Sequence, residues 1–318
     1  MGMNVLSLFD GISCGRVALE RAGIPVERYV AYEIEPTAIQ ISKNNYQSIE
    51  HCGDVFEANF TEYQGFDLLI GGSPCTHWTI ANHRREVTPD GEGGRLFMQF
   101  VRALKESGCK YFLYENNASM HSDIKEFITS NLGVKPIMIN SALVSAQDRK
   151  RLYWTNIPGV TQPSDRNIYL SDIVGCKCYS VVEQPFMRKK INGAYDRRYE
   201  PRTDGKASAV VATREKQFNM VMIEADHATL NCTVDNGIFR NDKKEYPICA
   251  EDGQYCVRSL TIEEREKLQT LPSGYTAGTI ESKARRVIGN AWTVDVITHI
   301  FLCLTRYNKG GAENGKLF

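Results

Sequence analysis

Residues 4–46 read NVLSLFDGISCGRVALERAGIPVERYVAYEIEPTAIQISKNNY, and this stretch decides the fold class. Its short apolar runs, NVLSLF and YVAYEIE, predict two buried strands. A helix-like segment follows each strand: RVALERAG, which ends at Gly23, and PTAIQISKNNY, which has Pro36 in its first turn. This alternation of strand and helix predicts a mostly parallel sheet that is covered by helices.

The same alternation continues to about Pro158. FDLLIGG (66–72) and KYFLYEN (110–116) predict two further strands, and RLFMQFVRALKES (95–107) predicts an amphipathic helix between them. We therefore expect an α/β domain with a Rossmann-like sheet. Ligands of such sheets bind at the carboxyl ends of the strands.

The composition changes after this point. Residues 161–255 are polar and contain only short β-like pieces, such as SAVVAT and FNMVMIE. The later stretch AWTVDVITHIFLCLTRY is apolar again and predicts a helix. We therefore predict a larger domain, formed by residues 1–160 and 276–318, and a second, smaller domain formed by residues 161–275. In the segment SLTIEEREKLQTL, the capping-box spacing of Thr261 and Glu264 predicts the start of a helix.

The net charge of the 318 residues is zero, but the charge is unevenly distributed. Residues 1–75 carry four basic and ten acidic side chains, a net charge of −6, whereas residues 147–216 carry fourteen basic and eight acidic ones, a net charge of +6. Such asymmetry fits a basic face turned towards nucleic acid, and it fits a solvated surface equally well. There is no apolar run of 18 residues and no secretory signal, so we expect neither a membrane span nor export.

Ten cysteines would suit a disulfide scaffold, but reduced thiols are expected in a long chain without an export signal. The one group that resembles a zinc cluster has none of the common zinc spacings and no His at ligand spacing. Its members are Cys176, Cys178, Cys249 and Cys256. We expect no metal site, and zinc at these cysteines stays the alternative.

The loop after the first predicted strand contains small residues that let a ligand approach the backbone, such as Gly11. It lacks the second and third glycines of the dinucleotide fingerprint G-x-G-x-x-G. Glu33 ends the second strand, where a carboxylate can hold ribose hydroxyls, and Asp54 lies where a third strand would end. Two carboxylates without phosphate-binding features suit a nucleoside such as S-adenosylmethionine, although many α/β proteins share this pattern.

Four further side chains can carry chemistry. Cys75 ends the turn GGSPC and is either an activated thiolate or a structural thiol. Glu115 closes a strand and is either a general acid or a turn former. In QDRKR, strand alternation would place Arg149 and Arg151 on one face, where two guanidiniums suit a base carbonyl and a phosphate. A solvated edge strand is the alternative for this pair.

Six segments in order resemble the motif series of the DNA cytosine-5 methyltransferases: SLFDG, GGSPC, YENN, QDRKR, RSLTIEEREKLQTLP and RRVIGNAWTVDVI. The resemblance covers nearly the whole chain apart from about 165–255, which corresponds to the family's variable target-recognition region. GGSPCTHWTIANHRR and the Trp of GNAWTV look closest to the vertebrate de novo enzymes. Gly-Asn in the last motif and the compact chain are more similar to bacterial or phage enzymes.

The resemblance implies roles for individual side chains. Cys75 matches the nucleophile, and Glu115 matches the carboxyl that pairs with the cytosine ring. Arg149 and Arg151 match the arginine pair near the base. The positions that match cofactor contacts are Phe9, Asp10, Gly11, Ile12, Ser13, Glu33, Ile34, Asp54, Val55, Gly72, Pro74, Leu96, Asn290, Ala291 and Trp292.

The chain departs from the family pattern at two positions. Thr76 stands where the family usually has Gln, and Asn117 stands where it usually has Val, so the detail of the base contacts is open. Residues 76–95 are expected to form a mobile lid with a glycine hinge at 91–94, and a plain surface loop is the alternative. Basic residues of the smaller domain are expected to track phosphates. These are Arg188, Lys189, Lys190, Arg197, Arg198 and Arg202.

The activity that the resemblance implies is methyl transfer from S-adenosylmethionine to carbon 5 of a cytosine flipped out of duplex DNA, through a covalent Cys75 adduct. Double-stranded DNA is the expected partner, with a restriction endonuclease as a further one. We expect a monomer, cytoplasmic if bacterial or phage-encoded and nuclear if eukaryotic.

Three alternatives stay open. One is an RNA (tRNA) cytosine-5 methyltransferase of the same fold, although the Cys-Phe-Thr tripeptide that is usual in such enzymes is absent. Another is a non-catalytic DNA-binding regulator. Such a protein should lack the cysteine, the glutamate or the arginine pair, and this chain has all of them. A nicotinamide oxidoreductase is disfavoured by the broken glycine fingerprint.

Overall fold

The structure is a computed structural model that describes residues 2–79, 82, 84–191, 194–212, 219–225 and 229–314. For residues 75, 185–191, 194–196 and 307–314 it describes the backbone alone. In the described chain the strands are β1 (Met3–Leu8), β2 (Val26–Tyr32), β3 (Ile49–His51), β4 (Leu68–Gly71), β5 (Tyr111–Asn117), β6 (Ile137–Asn140), β7 (Gln147–Asp148), β8 (Lys150–Thr155), β9 (Cys178–Ile191), β10 (Ala194–Pro201), β11 (Ala207–Ser208), β12 (Met220–Glu224), β13 (Cys232–Asp235), β14 (Ile238–Asn241), β15 (Lys244–Pro247) and β16 (Gly253–Ser259).

The helices of the described chain follow the same chain-order numbering. They are α1 (Cys14–Arg21), α2 (Pro36–Asn45), α3 (Glu92–Ser107), α4 (Ser122–Leu132), α5 (Leu170–Val174), α6 (Ile262–Leu268), α7 (Glu281–Asn290) and α8 (Val294–Asn314). Short 3-10 turns occur at Val55–Glu57, Phe60–Tyr63, Cys75–His77 and Ser141–Leu143.

The chain divides into two compact units, and the first comprises Met1–Asn140, Lys150–Pro163 and Ala291–Phe318. Its sheet has the strand order β3-β2-β1-β4-β5-β8-β6. The five strands from β3 to β5 in this order are parallel to their neighbours, whereas β8 runs antiparallel to both β5 and β6. Parallel strands need crossover connections, and α1, α2 and α3 provide them.

The sequence explains why these elements form. The central strands are continuous apolar runs because both faces of the sheet are covered, and Leu6 and Leu69 are fully buried. Helix α2 has a proline in its first turn, and the Glu35 side chain caps it by accepting a hydrogen bond from the Ala38 N–H at 2.7 Å. Helix α1 ends just before Gly23, which has a φ of +67°.

The second unit comprises Ser141–Arg149 and Ser164–Asn290. It contains an antiparallel sheet of strand order β10-β9-β12-β16-β13-β14-β15 and a short parallel pair, β7 with β11. Its core is built from alternate residues of these strands, and the rings of Phe239 and Tyr246 stack at 4.8 Å between centroids. The predicted α/β fold with a Rossmann-like sheet and a second, smaller sheet domain is therefore confirmed.

The predicted capping box is also confirmed. Thr261 accepts a hydrogen bond from the Glu264 N–H at 3.2 Å, and the Glu264 carboxylate accepts one from the Thr261 N–H at 2.8 Å. By contrast, of the residues of SAVVAT that the structure describes (208–212), only Ser208 lies in a strand, at the end of β11.

The prediction that QDRKR forms one strand is wrong. Arg149 interrupts it: β7 pairs with β11, whereas β8 pairs with β5 and β6. The carbonyl of Arg149 instead accepts a hydrogen bond from the Ser141 N–H at 3.0 Å. Strand alternation therefore does not place Arg149 and Arg151 on one face.

Residues 276–290 lie in the second unit, whereas the sequence prediction assigned them to the larger domain. Two contacts attach α7 to this unit. The Gln269 side-chain amide donates to the Ile288 carbonyl at 2.8 Å, and Gly289 lies against the backbone of residues 211–212. The functional division into a catalytic and a target-recognition domain stays a prediction.

Among the described residues, no single helix is long and apolar enough to cross a membrane. One bent pair, Glu281–Asn290 with Val294–Arg306, meets that test by length and composition only when the two helices are taken together.

Gly289 provides a test of this packing. Replacing glycine by alanine inside a helix normally stabilises it by about 1 kcal/mol. At Gly289, however, a Cβ would overlap the backbone of Val211 and Ala212. We therefore expect Gly289→Ala to destabilise the protein by about 1–3 kcal/mol, measured as a lower midpoint of thermal or urea unfolding.

The matched control is Ser282→Ala, at an exposed position of the same helix, which should change the midpoint little. A Gly289→Ala protein as stable as the wild type, or more stable, would contradict this packing.

Candidate active site

The carboxyl ends of the parallel strands meet at one edge of the first unit's sheet. Leu8, which ends β1, is level with Tyr32 of β2 and with Gly71 of β4. Gly71 is in turn level with Tyr114 of β5. The next residue of each strand or loop therefore lies in one row along this edge: Phe9, Glu33, Gly72 and Glu115.

Asp10 shapes the loop that follows β1. Its carboxylate accepts hydrogen bonds from the hydroxyls of Ser7 at 2.6 Å, Tyr29 at 2.7 Å and Ser13. Burial raises the pKa of Asp10, and these three hydrogen bonds oppose the rise. Ser13 adopts a left-handed conformation with a φ of +61°. The Asp10 side chain is thus bonded to the protein's own hydroxyls, and Tyr29 and Ser7 are supporting residues that motif matching did not single out.

Glu33 holds the same loop from the second strand. One carboxylate oxygen accepts the Gly11 N–H at 2.8 Å, and the other accepts the N–H groups of Ile34 at 2.9 Å and Glu35 at 2.8 Å. Burial raises the pKa of Glu33, the backbone hydrogen bonds lower it, and the negative charge of Asp10 raises it further. A carboxylate has about four acceptor positions, so Glu33 keeps capacity for one more donor.

Two large apolar side chains are exposed directly after the acidic groups. Ile34 is 68% exposed and Phe56 is 40% exposed. Asp54 caps the turn before Phe56 by accepting its N–H at 3.0 Å. The Arg95 guanidinium lies 5.6 Å from the centroid of the Phe56 ring. Phe56 lies in none of the motif segments, and its only signal in the sequence is that of an aromatic residue that fits no core periodicity.

The other predicted cofactor positions differ in exposure. Ile12, Ser13, Val55 and Ala291 are buried, whereas Pro74 is exposed and Leu96 is half-buried. Asn290 is exposed at the end of α7, in the second unit.

Glu115 has a partner on each carboxylate oxygen. Arg151 Nε lies 3.0 Å from Oε1, and Trp292 Nε1 donates to Oε2 at 2.9 Å. The Glu115 and Arg151 side chains are only 12% and 16% exposed. Sheet register explains the pair with Arg151: Glu115 is level with Tyr153 of β8, and Arg151 is its diagonal neighbour two residues away.

Gly72 makes room for this arrangement. A Cβ there would lie 2.8 Å from the Glu115 carbonyl oxygen, 3.1 Å from Glu115 Oε2 and 3.4 Å from Trp292 Nε1. The Trp292 ring also lies against Gly15 in the first turns of α1. Two glycines therefore allow the indole to reach the strand-end edge.

The turn that leads to Cys75 is tied to β5. The Ser73 and Tyr114 hydroxyls share a hydrogen bond of 2.7 Å, and the Asn116 side-chain amide donates to the Ser73 carbonyl at 3.2 Å. The backbone of Cys75 then begins the 3-10 turn Cys75–His77. The Cys75 side chain itself lies outside the part of the chain that the structure describes.

Arg149 belongs to the second unit and is 5% exposed. Its guanidinium donates to the carbonyls of Val210 at 2.8 Å and Gly289 at 3.2 Å. The structure thus brings together Glu115, Arg151 and Trp292, and it gives Arg149 backbone partners within its own unit. Its predicted role near the base stays a prediction.

Of the basic residues expected to track phosphates, three lie where the structure describes no side chains: Arg188, Lys189 and Lys190. The other three have partners in the second unit. Arg197 lies 3.9 Å from Glu183, Arg202 lies 3.1 Å from Asp148, and the Arg198 guanidinium lies 5.2 Å from the Tyr246 ring centroid.

Comparisons with known proteins identify the family. The model of the C-5 cytosine-specific DNA methylase family matches residues 3–306. The chain is 35% identical over 116 residues to the orphan methyltransferase M.SPRI of Bacillus phage SPR, which covers 36% of this chain and 26% of that protein. It is 32% identical over 162 residues to the type II methyltransferase M.FnuDI of Fusobacterium nucleatum, which covers 48% of this chain and 46% of that protein.

The chain thus spans about a quarter and about half of the length of these two curated relatives. The methyltransferase EhMeth of Entamoeba histolytica has a similar fold, with a TM-score of 0.64 at 14% identity, over 96% of this chain and 98% of that one. Because the family model matches nearly its whole length, the chain belongs to the C-5 cytosine-specific DNA methylase family.

Proposed function

We propose that the protein transfers a methyl group from S-adenosylmethionine to carbon 5 of cytosine in duplex DNA. The observation that carries this proposal is the Glu115 carboxylate, held by Arg151 and Trp292 at the carboxyl edge of the sheet. Gly72, which touches this group, begins the turn that leads to Cys75. A carboxylate and a guanidinium at this strand-end edge, together with a cysteine in the turn that begins beside them, suit addition chemistry on a pyrimidine ring.

The strand-end residues fit S-adenosylmethionine. The exposed Ile34 and Phe56 side chains offer apolar surfaces for an adenine ring, and Asp54 keeps acceptor positions for its amino group. Glu33 keeps one acceptor position for a ribose hydroxyl. Asp10 would act indirectly, by fixing the loop that follows β1 through the hydrogen bonds that its carboxylate accepts. When bound, the cofactor supplies an electrophilic methyl group on a sulfonium sulfur.

The chain's own residues carry the remaining steps. Carbon 5 of cytosine is a poor nucleophile until the Cys75 thiolate adds to carbon 6, which forms an S–C bond and moves an electron pair towards carbon 5. Glu115 meets the charge that develops at the ring nitrogen beside the amino group, with a proton or a strong hydrogen bond. After methylation a base removes the carbon 5 proton, and the electron pair that it leaves expels the Cys75 thiolate.

In this scheme Arg151 positions the Glu115 carboxylate and stabilises the negative charge that develops on the cytosine ring. Its guanidinium has five N–H donors, of which the Nε group is used on Glu115 and one on Nη1 is donated to the Lys150 carbonyl at 2.9 Å. The remaining donors suit the ring carbonyl, where negative charge also develops. The target cytosine must leave the base stack to reach these groups, at a cost of a few kcal/mol.

The proposed target-recognition domain is the part of the second unit that falls within the predicted range 161–275. Its antiparallel sheet carries arginine and lysine side chains that suit phosphate contacts. A type II methyltransferase among the relatives supports a restriction endonuclease of the same specificity as a functional partner. We further propose that the protein acts as a monomer.

Removing the nucleophile tests the proposal. We expect Cys75→Ser to abolish transfer of labelled methyl from S-adenosylmethionine to duplex DNA, because a serine hydroxyl is a far weaker nucleophile towards carbon 6. Cys303→Ser, at a buried thiol of α8, is the control and should keep activity. A Cys75→Ser protein that methylates DNA at the wild-type rate contradicts the mechanism, and faster methylation of transfer RNA than of DNA moves the substrate to RNA.

A substitution at Trp292 can separate the contribution of the aromatic ring from that of the indole N–H. Trp292→Phe keeps an aromatic ring beside Gly15 and Gly72 but removes the N–H that Glu115 accepts. A hydrogen bond to a charged group contributes about 1.5–3 kcal/mol, so we expect kcat to fall by about tenfold or more. The affinity for S-adenosylmethionine should change by less than about threefold, because the ring is retained.

Trp154→Phe is the matched control, since its indole donates to the Thr129 hydroxyl in the core of the first unit. It should lower stability and leave kcat near the wild-type value. If Trp292→Phe weakened cofactor binding at an unchanged kcat, Trp292 would act on the cofactor rather than on Glu115.

A further inference from the structure

One acidic side chain collects the segment that follows Cys75. Glu86 Oε1 lies 3.2 Å from His77 Nδ1, and Oε2 accepts the Trp78 indole N–H at 3.2 Å. The same Oε2 accepts the backbone N–H of Gly93 at 3.1 Å, in the first turn of α3. We call Glu86 with these three partners the Glu86 clamp.

The backbone reinforces the clamp. The Glu86 N–H donates to the His77 carbonyl at 2.8 Å, so Glu86 contacts His77 with both main chain and side chain. Nearby, the Asn82 side-chain amide donates to the Thr76 carbonyl at 2.9 Å. The turn directly after Cys75 is therefore fixed at two consecutive residues.

The clamp accounts for glycines that the sequence analysis assigned to a hinge. A Cβ on Gly91 would overlap the Glu86 carboxylate, and a Cβ on Gly93 would overlap both that carboxylate and the Trp78 indole. Gly91 has a φ of −86°, which any residue can adopt, so it is the space and not the backbone conformation that requires glycine. The missing side chains at these two positions leave the space that the Glu86 clamp occupies.

The electrostatics favour the same arrangement. The Glu86 carboxylate lies beside the N-terminus of α3, where unpaired backbone N–H groups and the helix dipole attract a negative charge. Trp78 is fully buried, so its indole N–H needs an acceptor within the protein, and Glu86 provides it. Removal of the Glu86 side chain would leave both the indole and the helix end without this acceptor.

We propose that Glu86 is a positioning residue for the Cys75 nucleophile, which anchors the turn Cys75–His77 to the first turn of α3. This inference rests on the proposed function, in which Cys75 attacks carbon 6. Attack needs the sulfur within a few tenths of an ångström of its reacting position, and a displacement of about 1 Å can cost about a hundredfold in rate. Glu86 touches no substrate in this role and acts through the two residues that follow the nucleophile by two and three positions.

The test is the rate of covalent capture of DNA that contains 5-fluorocytosine, measured in single turnover with saturating S-adenosylmethionine. The fluorine cannot leave as a proton does, so the adduct accumulates and reports sulfur attack. We expect Glu86→Ala, which removes all three side-chain contacts of the clamp, to slow capture by about tenfold or more, while the Kd for DNA and for the cofactor changes by less than about threefold. Gly93→Ala, which crowds the clamp from the α3 side, should give the same pattern.

Glu92→Ala is the matched control, because Glu92 lies in the first turn of α3 beside Gly93 and pairs with Arg95 at the surface. It should capture DNA at the wild-type rate. Circular dichroism verifies that each variant is folded at the assay temperature.

Equal capture rates for folded Glu86→Ala and wild-type protein overturn the role of Glu86. The role is also overturned if capture falls only in proportion to the loss of DNA affinity. A wild-type protein that forms no adduct at all contradicts the proposed function instead, and with it the premise of the clamp.

Discussion

The hydrogen-bonded Glu115 carboxylate is the interaction on which the rest of the site depends. A carboxylate that is 12% exposed must have partners, and they come from two distant segments: Arg151 on β8 and Trp292 just before α8. The antiparallel register of β8 against β5 sets the arginine, and the absence of a side chain at Gly72 admits the indole. The fold of the first unit can thus be understood as the means of bringing these three groups to one strand-end edge.

The segment that carries the proposed nucleophile, Cys75, is hydrogen-bonded on both sides of this residue. Before Cys75, the Ser73 turn is bonded to Tyr114 and Asn116 of β5. After Cys75, Glu86 ties the chain to the first turn of α3. A turn that is fixed at both ends loses little conformational entropy when a substrate binds, which is the advantage of preorganisation.

Local sequence patterns predicted the α/β architecture, because strand runs, helix periodicity and the Thr261 capping box are short-range features. Motif order selected Glu115 and Arg151, which the structure brings together. Four features did not follow from local patterns. The break at Arg149 depends on which strands pair, and the Trp292 bond depends on contact across 177 positions. Phe56 and the glycines near Glu86 are visible in the sequence, but only the exposure of the ring and the contacts of the Glu86 carboxylate show what they do.

The most direct test of the central claim identifies the atom that is methylated. Duplex DNA is incubated with the protein and S-adenosylmethionine that carries a deuterated methyl group, and the DNA is then digested to nucleosides for mass spectrometry. The account predicts deuterated methyl on carbon 5 of deoxycytidine, and none with Glu115→Ala protein. Label on an exocyclic nitrogen of cytosine or adenine, or undiminished carbon 5 methylation by Glu115→Ala, would contradict it.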